Sequence, residues 1–422
     1  NICKKLNYDI NKTSANVFFS IGTVADMAPI AGANRKWLKE CLPRINTTSN
    51  KGIKSIINNL LIDNFEITSE DIGYKIAPLI NAVGRIGDPK LIIDLLTNQS
   101  EDSIDKLTKK CIAMNTERKR LTALIEKEAY EIALSQYRND RKFLVITNNE
   151  WHPGIIGIVA ARMVDKFNLP TAIIALANDG NFRGSIRSNN KLKVNIALDE
   201  CCNLLIAHGG HSAAAGFSIK KENINLLSAK LNKIAKREFK NIDINKSIKP
   251  DVHVHLADID HDFYKQLELI GPFGVRNPAP IFWARKCKIS KLYKLNGGHI
   301  KMYLDDGTSS ISAIKWNQTT KLKNNDLIDI AFHIEMNKWK RKKHLQLNIL
   351  DIKNHNNEIE LQLHSHFYKC KLTDDMKILI TNDKGQCISS DLSVCNKNID
   401  DNQEAFKKKI LSFAEIALGK AA

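Results

Sequence analysis

The chain has 422 residues, enough for two or three domains rather than one. Apolar residues make up 43% and charged residues 26%, which excludes a mainly disordered chain, and no stretch nears the roughly 20 apolar residues of a membrane span. Lys and Arg number 63 against 46 Asp and Glu, a net charge of +17 that suggests a polyanionic partner. Nucleic acid is the usual one, although charge alone does not separate it from acidic lipid.

In chain order, residues 16–30 begin as an apolar run and end at the turn-like Pro29. Trp37, Leu38 and Cys41 then share a helical face, residues 55–61 and 91–96 continue in that style, and the first hundred residues read as mostly helical. From 101 to 135, Ile104, Leu107, Cys111, Met114, Leu121 and Ile125 keep a three-four rhythm with no Gly or Pro. A helix of about 30 residues would span about 45 Å, the length of a strut between domains. Residues 143–147 and 171–176 read as strands around a helix that starts near Pro153, a βαβ unit in a parallel sheet. A helix is expected over 194–208, stopped by Gly209-Gly210 as a left-handed cap, then a strand at 214–219 and a basic helix at 221–239. After a polar linker at 241–251 the period becomes two. Ile330, Phe332, Ile334 and Met336 form one strand and Leu345, Leu347 and Ile349 another, with a basic hairpin tip between them. Several short strands there suggest an OB-fold barrel. The tail shows a strand at 377–381, a helix at 403–418 and no assignable role.

Nine scattered Cys without any CxxC exclude a disulfide framework and a zinc ribbon. Reduced thiols and a cytoplasmic location are expected. The chain opens on Asn1 rather than Met, so processing or a missing upstream segment is expected as well.

Asp26 closes the apolar run beside Gly22, where a strand-end carboxylate could hold a metal and a cap or turn Asp is the bland alternative. Ser185, Arg187 and Ser188 in GSIRS offer hydroxyls and a guanidinium fork suited to phosphate, or simply a polar strand end. Gly209, Gly210 and His211 would let backbone amides approach a ligand, or would cap a helix. Trp151-His152-Pro153-Gly154 opens a helix, with an indole that stacks on a base or anchors a loop. His253-x-His255 and His364-x-His366 look metal-like, but solvent-facing His on a strand is the better reading. Lys338, Trp339, Lys340, Arg341, Lys342 and Lys343 combine cations with an aromatic ring, as single-stranded nucleic acid requires, with a solvated surface turn as the alternative.

Taken together, these segments resemble the RecJ single-strand-specific exonucleases of the DHH phosphoesterase superfamily. The matching stretches are GTVADMAPI (22–30), IAPLINAVGRIGDP (76–89), NTERKR (115–120), WHPGIIGIVAARMV (151–164), GSIRS (184–188), GGHSAAAGFSI (209–219) and GPFGVRNPAPIF (271–282). The resemblance implies an α/β multidomain chain. Residues 1–100 would be the helical end of a DHH domain, 101–139 a connecting helix, 140–240 a βαβ-type DHH-associated domain, 250–354 an OB-fold β-barrel and 355–422 an unassigned tail.

It also implies roles. Asp26 would be a catalytic metal ligand; Arg85, Ser185, Arg187, Ser188, Gly209, Gly210 and His211 would bind phosphate or DNA; residues 338–343 would guide the strand. The implied activity is 5′–3′ hydrolysis of single-stranded DNA with two Mn2+ or Mg2+ ions, in repair and recombination. Implied partners are single-stranded DNA and a single-strand-binding protein or helicase, with no membrane.

The sequence departs from that pattern. The early DxD pair, the middle Asp and the DHH triplet do not stand ahead of Asp26, Arg276 replaces the usual Gly and Ala279 the usual Glu. One carboxylate does not hold two ions, so the metal site is expected to be incomplete in this chain. The alternative is a non-catalytic module that binds single strands or acts as a scaffold. A superfamily member acting on short oligonucleotides or cyclic dinucleotides fits less well, because the barrel and its basic hairpin suit a longer strand.

Overall fold

The computed structural model describes residues 14–60, 67–139, 141–189, 192–240, 248–296, 298–316, 322–339, 342–363, 366–373, 377–389 and 401–418. They form two compact units that divide between residues 247 and 248, with Pro29–Gly32 joining the second. Among the described residues no helix is long and apolar enough to cross a membrane.

The first unit begins with helices α1 (Ala15–Ala25), α2 (Gly32–Cys41), α3 (Lys51–Asn59), α4 (Ala77–Ile86) and α5 (Lys90–Thr97). The strand end expected around Asp26 is not found. The run at 15–25 is helical because Val17, Ser20 and Ile21, its buried positions, recur at helical spacing. Helices α3, α4 and α5 pack on α6 (Glu101–Arg138), which has 38 residues and is roughly 57 Å long at 1.5 Å per residue. Its first turn carries Glu101 and Asp102 and its last Arg138, in the sense the helix dipole favours.

A five-stranded sheet follows, in the order β1 (Leu144–Asn148), β2 (Thr171–Leu176), β3 (Phe182–Arg187), β5 (Ala214–Ile219), β4 (Leu205–Gly210). The expected βαβ unit is present: β1 and β2 are parallel and joined by α7 (Ile156–Phe167). The remaining neighbours are antiparallel, so the sheet is mixed. The helix expected over 194–208 is only α8 (Val194–Asp199). Residues 205–210 instead pair with β5 as an edge strand, and Gly209-Gly210 ends a strand rather than capping a helix. Gly210 has φ +145°, and a Cβ there would collide with Ala214 and Ala215, so glycine permits the tight return into β5. Helix α9 (Ile224–Glu238) closes this layer, burying Leu227, Leu231 and Ile234.

In the second unit a short β6 (Val252–His253) and α10 (His261–Leu269) precede β7 (Phe282–Leu295), β8 (His299–Asp305), β9 (Ser310–Lys315), β10 (Leu327–Trp339) and β11 (Lys342–Asn354). β7 pairs β8, β8 pairs β9, β9 pairs β11 in parallel, β11 pairs β10, and β10 returns to β7. This closes the expected five-stranded OB-type barrel. Phe282, Cys287, Met302, Leu304, Phe332 and Leu347 fill it. Val252 is exposed and His253 is half-buried against Trp283, 5.0 Å between rings, so the solvent-facing arrangement expected for His253 is not found. His364 lies outside the described residues.

The chain then forms β12 (Glu358–Leu363), β13 (His366–Leu372), β14 (Ile378–Asn382) and β15 (Cys387–Ser389), an antiparallel sheet covered by α11 (Asp401–Ala417). Tyr368, Cys370, Ile378 and Ile380 meet Ile410, Leu411 and Ala414 in its core.

Candidate functional site

The central strand β3 alternates. Phe182, Gly184 and Ile186 are buried, while Arg183, Ser185 and Arg187 point to the other face. A Cβ on Gly184 would collide with the Phe217 ring, so this glycine lets β5 cover the buried face closely. On the opposite face the register lines up Arg183 with Ser218, Ser185 with Gly216, and Gly216 with Gly209. Around Ser185 the floor is therefore bare backbone.

One wall of this floor is the start of α7. A Cβ on Gly157 would stand 3.0 Å from an Arg187 Nη and 3.1 Å from the Ser185 Oγ, so glycine makes the room both side chains use. The other wall is the end of α4, pressed against Pro153-Gly154. A Cβ on Gly154 would collide with the Arg85 carbonyl oxygen, and Arg85 Nη1 donates to the Gly154 carbonyl at 3.3 Å. The cleft has a volume of about 580 Å³, and Arg85, Gly154, Gly157, Ser185, Arg187 and Gly216 are among its lining residues. The Trp151 indole is buried and donates to Glu128 on α6 at 2.7 Å. It anchors the loop and is not a stacking surface.

The charges around the cleft are unbalanced. Arg187 donates to Ser185 Oγ at 2.9 Å and to the Ile186 carbonyl at 2.8 Å, and among the described residues neither it nor Arg85 has a carboxylate partner. Burial, then the nearby Arg85 charge, pulls the Arg187 pKa below its usual value. Arg183 differs: it is neutralised by Asp179 at 2.7 Å.

Helix α6 carries two groups, outside the cleft lining, that the sequence reading passes over. Asn115 is 7% exposed and, among the described residues, its Oδ1 has no partner and the Arg118 Nε is buried without one. Burial, then the charges of Arg85 and Arg162, depresses the Arg118 pKa. Arg162 itself is paired with Glu126, and among the described residues Arg118, beside Arg85, has no carboxylate partner. A signal was available. The buried stripe of α6 runs Ile104, Thr108, Cys111, Asn115, Thr122, Ile125, and an amide in such a stripe has to have a reason. An array of guanidinium groups, a hydroxyl and exposed backbone without carboxylates suits an oxyanion such as phosphate.

The other expected site residues distribute differently. Ser188 turns its hydroxyl onto the Asn189 carbonyl at 2.6 Å. His211 is exposed at the β4–β5 turn, where its N–H donates to the Ala214 carbonyl at 2.8 Å. Gly209 pairs with Gly216 of the floor, but none of Gly209, Gly210 and His211 lines the cleft. The backbone pairs Lys338 with Lys343 and Trp339 with Lys342, as a hairpin requires. Lys340 and Arg341, and the side chains of Lys338, Trp339, Lys342 and Lys343, lie outside the described residues.

Asp26 is exposed at the C-terminal end of α1 and is not among the cleft residues. Its helix closes with the Ala28 N–H on the Thr23 carbonyl at 3.0 Å and Met27 in the left-handed region at φ +54°. A carboxylate there opposes the helix dipole, an arrangement that a bound cation would relieve. Two divalent ions, however, need many oxygen or nitrogen ligands. Among the described residues no group of three or more His, Cys, Asp or Glu could hold a metal ion, so they do not fit a two-metal centre.

Arg276, where the resemblance expects Gly, sits at φ +64°. The turn keeps its form because Gly274 and Asn277 exchange backbone hydrogen bonds of 2.8 and 3.0 Å.

Comparison with known proteins places these features. Residues 140–237 match the DHHA1 domain and residues 250–351 the RecJ OB domain. Over 338 residues the chain is 29% identical to the single-stranded-DNA-specific exonuclease RecJ of Bacillus subtilis (strain 168), covering 79% of this chain and 43% of that one. The crystal structure of RecJ in complex with Mg2+ from Thermus thermophilus shares its fold, with TM-score 0.72 at 24% identity, over 84% of this chain and 54% of that one. The Mn2+ complex of RecJ from the same source gives TM-score 0.72 at 23% identity, over 85% and 52%. The chain thus spans about half the length of these relatives.

Proposed function

We propose that this chain, a homologue of the RecJ single-stranded-DNA-specific exonucleases with a DHHA1 domain and a RecJ OB domain, holds single-stranded DNA by its phosphates in the arginine cleft. The observation that carries the reading is the set Arg85, Arg118 and Arg187, none of which has a carboxylate partner among the described residues, beside a floor of Ser185, Gly216 and Gly209. A half-buried guanidinium such as Arg187, with no carboxylate partner among the described residues, costs free energy in the free protein and recovers it when a phosphate arrives.

In this reading the chain takes part in 5′–3′ digestion of single strands, in DNA repair and recombination. Asp26 contributes one ligand to a divalent-metal centre whose other ligands are not among the described residues. The chain's own residues bind and orient: Arg187 and Ser185 grip one phosphate, Arg85 and Arg118 neutralise its charge, and the glycines let the backbone come close. Free thiols at the described cysteines suit a reducing cytoplasm.

The test is binding of a fluorescent single strand across a salt series, with a nuclease assay in Mn2+ alongside. Arg187→Ala is expected to weaken binding about 30-fold. It should also flatten the salt dependence by about 0.7 in slope. Unchanged affinity would sink the cleft reading. Nucleotide release that is lost in Asp26→Ala would make the chain itself a nuclease; binding without release would make it the strand-holding part of one.

A further inference from the structure

The loop that follows α1 ends in a buried anchor that the cleft does not use. Helix α1 closes at Asp26 and Met27, whose N–H groups donate to the Gly22 and Val24 carbonyls at 3.0 and 3.2 Å. Met27 stands at φ +54°, a region that residues with a Cβ seldom adopt. Pro29 then has a fixed φ and no N–H. Ile30 comes next, and although it lies in a loop it is only 3% exposed. Residues Pro29–Gly32 group with the second unit, and there Ile30 donates its N–H to the Val275 carbonyl at 2.7 Å.

The receiving turn is braced by its own bonds. Gly274 and Asn277 form a bridge, and Asn277 Nδ2 donates to the Ile270 and Pro272 carbonyls at 3.1 and 2.8 Å. Gly274 is not in the positive-φ region, so its backbone does not call for glycine. Space does: a Cβ there would stand 2.5 Å from Ile30 Cδ1 and 3.3 Å from Cγ1. The glycine is a seat for Ile30. A strained residue persists only where its surroundings hold it. Met27 is 70% exposed, so its own side chain does not supply that hold. The helix bonds before it and the seated Ile30 after it do.

We infer that Ile30 and Gly274 are positioning residues: the seat fixes the course of the chain directly after Asp26 and keeps Met27 in its strained turn. Asp26 stands four residues before the anchor, with Pro29 as a stiff link between them. Unseating Ile30 releases the turn and frees the end of α1. The bearing on activity rests on the role proposed above for Asp26; the seat itself does not.

The experiment measures amide exchange on the full 422-residue chain. Ile30→Ala is expected to speed exchange over residues 27–32 about 10-fold, with the α6 amides unchanged. Gly274→Ala should do the same, because its Cβ takes the place of Ile30 Cδ1. Valine lacks that atom. Gly274→Ala combined with Ile30→Val should therefore exchange within about 2-fold of Ile30→Val alone, a rescue that only direct contact gives. The Met27 methyl resonance reads the turn beside Asp26. It should shift in both disrupting variants and return in the paired one. Unchanged exchange in Ile30→Ala overturns the inference, and so does a paired variant without rescue. A Met27 resonance that stays fixed while residues 27–32 open overturns it too, and exchange that rises equally in α6 makes Ile30 an ordinary core residue. If Arg187→Ala weakens strand binding and the seat variants leave exchange as it was, only this inference fails. If Asp26→Ala alters neither binding nor nucleotide release, the role of Asp26 falls and the seat, read by exchange, stands.

Discussion

In the first unit the cations are short of partners and partly buried: Arg187 is held by Ser185 and its own strand, and Arg118 has a buried Nε with no acceptor. On the barrel, cations and rings share an exposed face, with Lys301 beside Tyr303 and Tyr293 half open to solvent. The cleft is glycine-floored, and its guanidinium groups suit a compact anion. The barrel face sets half-exposed rings beside lysines. In general, fixed donors set the position of one phosphate, whereas exposed rings beside cations interact without choosing a sequence.

That contrast is sharpest at the glycines. Gly154→Ala pushes a Cβ into the backbone of Arg85, so it should destabilise the chain by about 2–3 kcal/mol and displace the Arg85 wall, as denaturant unfolding would measure. A change under about 0.5 kcal/mol would mean the wall is loose. Arg118→Met tests whether the cleft keeps an uncompensated charge for binding. It should stabilise the free protein by about 1 kcal/mol and weaken strand binding several-fold, a pairing of signs that a purely structural arginine would not give. A Cβ added at Gly209 would meet no atom within 4 Å. Gly209→Ala should therefore leave stability within about 0.5 kcal/mol and lower strand affinity. Equal affinity would show that the strand does not approach the floor there.

The smallest expected effect concerns Glu126, which ties α6 to α7 through Arg162 and Lys166. Burial pushes its carboxyl up, but the hydrogen bonds and charges of Lys166 and Arg162 outweigh that and hold the pKa below its usual value. With the folded pKa depressed, this contribution is complete above the ordinary Glu range and is lost as pH falls through the folded value. Glu126→Gln should therefore flatten the acid limb of the stability curve by about 0.5 kcal/mol, measured by thermal unfolding from neutral pH downward.

Much of this is legible in the residues. The long helix, the βαβ unit and the barrel follow from apolar spacing of three-four and of two, and GSIRS reads as part of a strand with a polar face. The departures share a cause. Leu205–Gly210 reads as the end of a helix because a run of Leu, Ile and Ala suits either state, and only pairing with β5 makes it a strand. Asp26 reads as a strand end because β-branched Thr23 and Val24 precede it, while packing of Val17 and Ile21 keeps the segment helical. Asn115 and Arg118 are hidden among the charges of NTERKR.

The sequence by itself determined where the apolar faces lie, which segments turn, and which side chains are chemically fit to hold a phosphate, because these depend on spacing and composition within a few residues. Only the tertiary structure decided that Arg118 on one helix and Arg187 on a strand both lie near Arg85 on another helix, with no carboxylate partner among the described residues. It alone set Tyr293, Lys301 and Trp316 on one outer face. Such groupings depend on register between strands and on which glycines let backbones touch, and both are properties of contacts distant in the chain.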